Sequence, residues 1–503
     1  MKTTLKLLGA ILVAVVLVLV VRALRLRDIQ VRVRPVADRP VDSGRLAETL
    51  AGAVRIPTVS YDASGPSAES LSTLHDFLEA SFPKTFANLD REEFGAGTFT
   101  LTWRGSDPEL APILLLAHQD VVPVAAGTEK EWAHPPFSGD VAGGFVWGRG
   151  SLDDKASLVD LLTSVELLID EGFTPRRTVI LSFGHDEEVG GRGQASVAKA
   201  LAERGLHLAM VLDEGLTLTR GAVPAVDRPV ALVGVAEKGY VSYELVVESE
   251  GGHSSMPPRE TAISILAAAL DRLTRHPLPA RADSPAFAMM DAIAPDASFA
   301  GRVVLANRWL FRPLVERAMA AKPSSDAMLR TTLAPTILEA GVKDNVLPPR
   351  ARAVVNLRIL PGDTIAGVER ELVRRIDDPR VHLERLAETA SEPSPASDTD
   401  DWAYRVLAQS VREVMPEALV APGLMIGATD SRHYVQLSRE IFRFQPILLA
   451  PEDFERFHGR DERIATTNLT LAVRVYCRLL EDAAGAAPSS PDARRIEGAE
   501  PQT

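Results

Sequence analysis

The sequence predicts an α/β protein built on a doubly wound, mostly parallel sheet. Two observations carry that expectation. Three short apolar runs, "APILLLAHQD" (111–120), "RTVILSFGHDEE" (177–188) and "LAMVLDEG" (208–215), show the unbroken hydrophobicity of parallel strands covered on both faces. Helical stretches separate them, "SLVDLLTSVELLIDEG" (157–172) and "GQASVAKALAERG" (193–205), which makes βαβ units. A third observation concerns chemistry. Each run ends in acids or His at its carboxyl end, where open α/β sheets build ligand sites.

In chain order, the first element is of a different material. Residues 7–21, "LLGAILVAVVLVLVV", carry no charge and are flanked by Lys2 and Lys6 before and Arg22, Arg25 and Arg27 after. Spanning a bilayer takes roughly 20 residues, reached here if Leu5 to Leu24 tilt and the basic residues snorkel. No small-x-small cleavage site precedes the arginines, so residues 1–27 are read as an uncleaved signal anchor, with a cleaved signal peptide as the alternative. The body is expected on the extracytoplasmic side, although the arginine excess after the segment would, by the positive-inside rule, hold it in the cytoplasm. Next, "SGRLAETLAGAVRIPTVS" reads as an amphipathic helix running into a turn.

Composition bounds the rest. A chain of 503 residues exceeds the usual single-domain size. Apolar residues at 46% and charged residues at 24% are ordinary for a globular protein. A net charge of −13 without a central basic block argues against nucleic acid as a partner. The one cysteine, Cys477, allows no internal disulfide and sits on an apolar helix face, where core packing is expected.

The candidate site gathers from separate stretches. His118 and Asp120 end the first run. "WGRGSLDDKAS" (147–157) places Asp153 beside Asp154 ahead of a helix, and "GHDEEVGG" sets Glu187 beside Glu188 between glycines. Asp213 closes the third run, and His458 lies in "EDFERFHGRDERI". Singly, each has an ordinary explanation: polar residues stop strands, and Asp caps helices. Together, His118, Asp153, Glu188, Asp213 and His458 are an N/O ligand set without sulfur, which suits zinc, and a bridging carboxylate would let them hold two ions. Glu187, beside a ligand, is the expected general base. Asp120 is expected to accept the second ring N–H of His118 and fix its tautomer.

This order, H-x-D, D-D-K, D-E-E, D-E-G and a distant His, resembles the co-catalytic di-zinc amidohydrolases. That family includes carboxypeptidase S, aminoacylase and succinyl-diaminopimelate desuccinylase. The likeness runs over roughly residues 45 to 480. "GGHSSMPP", "NRWLFRPL", "GATDSRHY" and "PEDFERFHG" make it most like the N-fatty-acyl-amino-acid synthase/hydrolase and carboxypeptidase S branch. The resemblance implies that His118, Glu188, Asp213 and His458 bind two Zn2+ bridged by Asp153, and that the Asp153–Asp154 peptide is cis. It implies a smaller α/β lid inserted into the catalytic domain. The expected divisions are 1–27 anchor, 28–236 catalytic, 237–388 lid, 389–482 catalytic, and a disordered Pro/Ser/Ala-rich tail at 483–503. The lid should open with an edge-type strand in "EKGYVSYELVVESEGGHSS" and end before "ETASEPSPASDTDD".

The resemblance also implies a role for His253 at the substrate carbonyl. Asn345 and Arg358 would hold the carbonyl and the free carboxylate, for which an Arg fork is well shaped. The expected reaction is hydrolysis, or the reverse condensation, of an amide beside a free carboxylate. The substrate is an N-acyl amino acid, or alternatively a peptide cut by an exopeptidase. A homodimer through the lid is expected. A non-catalytic binding protein on this fold would have lost Glu187 or a ligand, and neither is lost. The apolar segment 284–314 is read either as lid core and dimer packing or as an apolar wall for an acyl chain.

Overall fold

The computed structural model describes residues 2–223 and 226–485. Its main sheet has eight strands in the order Asp90–Phe94, Thr98–Trp103, Val179–Gly184, Ile113–His118, Met210–Thr219, Ile441–Leu449, Val230–Glu237 and Leu419–Met425. The four strands from Val179–Gly184 to Ile441–Leu449 are mutually parallel. Antiparallel strands extend the sheet on one side, starting with the pairing of Thr98–Trp103 to Val179–Gly184. The three apolar runs are the Ile113–His118, Val179–Gly184 and Met210–Thr219 strands. The first two are buried at every position, the condition that removes alternation from a strand's sequence. The helices Lys155–Asp170 and Arg192–Glu203 connect them.

Cys477 is buried in the long Thr466–Ala484 helix, its thiol 3.7 Å from the Ser164 carbonyl. Ala483 and Ala484 still belong to that helix and are buried. The rest of the expected tail, from residue 486, lies outside the described residues.

A second sheet forms the lid, with four antiparallel strands in the order Thr332–Ala340, Arg350–Ile359, Gly239–Glu248 and Val381–Ser391. The helices Ala262–Thr274 and Ile365–Ile376 share one apolar core with it. Gly239–Glu248 is an interior strand of this sheet, not the edge its alternation suggested. Alternation reports that one face is covered, and a central strand of a one-sided sheet shows it as clearly as an edge strand. The lid's last strand runs to Ser391, and the linker behind it returns to the main sheet: Ser394 donates to the Glu237 carbonyl, and Ser397 to that of Val235.

The stretch between the lid's two halves does not all belong to the lid sheet. The Pro285–Ile293 helix packs on the outermost main-sheet strand, Ala292 and Ile293 sharing a buried cluster with Leu419 and Ala421. Phe287 and Met290 are buried in a local cluster with Val315 and Leu329. The apolar residues of 284–314 therefore split into buried packing and a second set, Phe299, Trp309, Leu310 and Leu314, that is exposed.

Candidate metal centre

His118 ends its strand, and its ring is held from both sides. Nδ1 lies 3.0 Å from the Asp120 carbonyl oxygen and 3.3 Å from Asp120 Oδ1. Nε2 is thereby left facing Asp153 Oδ1 at 3.0 Å and Glu214 Oε1 at 3.4 Å. The Asp120 carboxylate also accepts the hydroxyl of Ser60 and the backbone N–H groups of Glu187 and Glu188. One buried acid thus aims His118 and pins the turn that carries the two glutamates.

Asp153 and Asp154 are joined by a cis peptide. Asp153 Oδ2 lies 3.1 Å from His458 Nε2, which is 3.3 Å from Glu188 Oε2. Asp154 turns the other way: its carboxylate accepts the backbone N–H of His118 and the amide of Gln445. Burial pushes Asp154 up to about 8.

Two triads emerge, His118–Asp153–Glu214 and Asp153–Glu188–His458, each with ligand atoms within 4.8 Å of one another. Asp153 is common to both. Asp213, the acid expected in the set, is differently engaged. Its oxygens accept the backbone N–H groups of Glu214, at 2.9 Å, and Ser431, at 2.7 Å. The cause is a β-bulge. Asp213 pairs with Arg443, but the next partner of that strand, Phe444, pairs with Leu216. Glu214 and Gly215 occupy the bulge, which re-aims a side chain. Gly215 has φ +141, and a Cβ there would come within 2.8 Å of Arg443 Cβ, so glycine is required.

The site's electrostatics fit cations. Burial raises Glu187 well above its ordinary value, and Asp430, Glu214 and Glu188 add to the rise. Glu214 is likewise raised, by burial and by Asp153. Hydrogen bonds to Asp153 and Glu188 push His458 up to about 10. Glu188 Oε1 is buried with no hydrogen-bond partner among the described residues. So many acids with an orphaned oxygen and only N/O donors suit hard or borderline divalent ions.

Three contributors escaped sequence reasoning. Glu462 is fully buried and accepts the backbone N–H groups of Gly150, Leu152 and Asp153, while its other oxygen pairs with Arg149. It clamps the loop that presents Asp153, yet in "GRDERI" it reads as a surface charge. Arg432 Nη1 sits 3.9 Å from Glu187 Oε1, and Asp430 is buried beside it. The motif "GATDSRHY" was visible, but nothing in its spacing tied it to Glu187. Of the expected lid residues, His253 and Asn345 lie at the paired Gly252–His253 and Val346–Leu347 strands, both exposed. Arg358, on Arg350–Ile359, stacks its guanidinium 4.7 Å over the Tyr240 ring. No contact among the described residues joins these three to the triads.

Carboxylates and imidazoles converging in two triads that share Asp153 fit a metal-dependent hydrolase of the amidohydrolase and peptidase class. Comparison with known proteins agrees. The model of peptidase family M20/M25/M40 matches residues 114–482, and the chain belongs to that family. The N-fatty-acyl-amino acid synthase/hydrolase PM20D1 of Xenopus tropicalis is 40% identical over 443 residues, covering 87% of this chain and 86% of the relative. Carboxypeptidase S of Saccharomyces cerevisiae is 33% identical over 470 residues, covering 83% and 80%. Among solved structures, the M20 metallo-carboxypeptidase Sso-CP2 of Sulfolobus solfataricus superposes with a TM-score of 0.63 at 17% identity, covering 87% of this chain and 98% of that one.

Proposed function

We propose that this chain hydrolyses N-fatty-acyl amino acids, or runs the reverse condensation, with two zinc ions held by His118, Asp153, Glu214, Glu188 and His458. The observation that carries the reading is Asp153 shared between two triads, with Glu187 outside both and its backbone N–H held by Asp120, the residue that also holds His118. Two divalent cations held there would lower the pKa of an attacking water and offset charge on the carbonyl oxygen. The chain's own groups do the rest. Glu187 removes the proton from water and returns it to the leaving amine, a task that its place next to Glu188 suits. Asp120 holds the His118 tautomer and the backbone of the Glu187 turn. In this reading His253 steadies the carbonyl, Asn345 orients it, and Arg358 binds the free carboxylate.

Glu214 takes the place expected of Asp213 because it, not Asp213, faces His118. Accordingly, Glu214→Gln should halve the bound zinc while Asp213→Asn retains it. Metal analysis that shows the reverse would restore Asp213 as the ligand.

The acyl substrate is favoured by the 40% identity to the fatty-acyl synthase/hydrolase over nearly the full length of both chains. A peptide exopeptidase is the second reading, supported by a probable carboxypeptidase S-like protein of Dictyostelium discoideum at 38% over 443 residues. A panel of N-acyl amino acids and dipeptides separates them. Each buried methylene contributes about 0.8 kcal/mol, so a few added acyl carbons should raise kcat/KM by roughly 10- to 100-fold. A flat or falling series would favour the peptidase. In the same panel, Arg358→Ala should raise KM for substrates with a free carboxylate and leave their amides unaffected.

The N-terminal Lys2–Leu24 helix is long and apolar enough to cross a membrane, as an anchor or a signal sequence would be. We read it as a single-pass anchor with the catalytic body outside the cytoplasm. The lid's outer strand, Thr332–Ala340, leaves Ile337 and Leu338 exposed, which fits a homodimer formed through the lid.

A further inference from the structure

Residues 3–18 of the N-terminal helix are exposed throughout, but its last turn is docked. Ala23 is buried, Asn307 Nδ2 donates to the Leu19 carbonyl at 3.0 Å, and Arg22 Nε donates to the Ala306 carbonyl at 3.1 Å. Asn307 is fully buried at the junction between the Phe299–Ala306 and Arg308–Met319 helices. The body therefore meets the apolar helix at one defined place. The sixteen projecting residues extend about 24 Å at 1.5 Å per residue, most of the roughly 30 Å of a bilayer core.

Beside that exit lies an apolar face that nothing among the described residues covers. On the Arg308–Met319 helix, Trp309 is 62% exposed, Leu310 44% and Leu314 56%, with Pro313 exposed between them; Phe299 on the preceding helix is 48% exposed. The positions 309, 310, 313 and 314 fall on one side of a helix. The helix is not loose: Arg308 forms a forked ion pair with Asp291 and lies 5.6 Å over the Phe287 ring, and Val315 is buried beneath. Arg317 follows the patch, Arg22 lies in the last turn of the N-terminal helix and Arg25 and Arg27 follow it, a basic margin on a chain of net charge −13.

We propose that this face of the Arg308–Met319 helix, with Phe299, rests in the interfacial layer of the bilayer that the N-terminal helix enters. The proposal builds on the anchor reading above. A rigid helix with Trp and Leu on one side and Arg at its rim has the composition of an interfacial element, Trp at headgroup depth and Arg toward anionic lipid. Docking of this kind holds the catalytic body flat on the surface where amphiphilic amides are concentrated.

The test uses the full chain inserted in phosphatidylcholine–phosphatidylglycerol vesicles whose acyl chains are brominated. Trp309 is the one exposed tryptophan of five; Trp103 and Trp132 are buried, and Trp147 and Trp402 are partly buried. Bromine should quench a fraction of the emission that disappears in Trp309→Phe. Leu310→Glu with Leu314→Glu should raise KM about tenfold for a long-acyl substrate presented in vesicles, the order expected from losing the burial of these leucines. A short soluble substrate should be turned over as before. If the chain resists carbonate extraction but Trp309 is not quenched, the platform is wrong and the anchor stands. If carbonate releases the chain, the anchor reading fails and the platform with it.

Discussion

Glu187→Gln should lower kcat by about 10²- to 10⁴-fold, the range lost with a general base, while zinc content stays at the wild-type level. The two halves of that expectation come from different observations. Both triads close without the Glu187 carboxylate, so its amide should leave metal binding intact. The backbone of Glu187 is fixed by Asp120, and Gln keeps the shape of the side chain, so the turn should hold its conformation. What the amide lacks is the ability to take a proton. Steady-state kinetics beside metal analysis checks both halves. Near-normal kcat would remove Glu187 from the chemistry, and loss of zinc would make it a ligand.

Asp153→Asn should abolish activity and empty both metal positions, a broader loss than any other ligand change produces. His118 and Glu214 touch one triad and Glu188 and His458 the other, but Asp153 offers one oxygen to each. An amide presents one oxygen and an NH2 group that only donates, so it cannot serve two cations. The measurement is thermal. Metal that binds only the folded state stabilises it by about 2.7 kcal/mol at a free concentration 100 times Kd. Chelator should therefore lower the wild-type Tm and leave the variant's unchanged. The loop itself should survive, because the Asp153 backbone N–H is held by Glu462 rather than by the side chain. A chelator-sensitive Tm in Asp153→Asn would show that one cation is bound without this residue.

Much of the catalytic fold was legible because its signals are local. An unbroken apolar run such as 113–117 can be read from neighbours along the chain, since burial on both faces removes every polar position at once. The endings of those runs were legible for the same reason: His118, Asp120 and the glutamates of 187–188 interrupt hydrophobic stretches where a buried strand has no use for charge. The sequence by itself therefore determined the parallel sheet, the face that carries the site and the N/O character of its donors.

Tertiary structure decided what depends on partners far along the chain. Periodicity cannot say whether Asp213 or Glu214 faces His118, because a bulge against Arg443 sets the direction, and Ser431, 218 residues away, claims the Asp213 carboxylate. Glu462 became a clamp only through a loop some 310 residues earlier. Gly239–Glu248 became a central strand only when Val381–Ser391 paired with its free side. Trp309 and Leu314 lie on the surface, on a helix whose preceding residue, Asn307, holds the Leu19 carbonyl 288 residues back. A side chain's local pattern records how much of its strand or helix is covered, whereas what covers it is set by contacts that only the folded chain brings together.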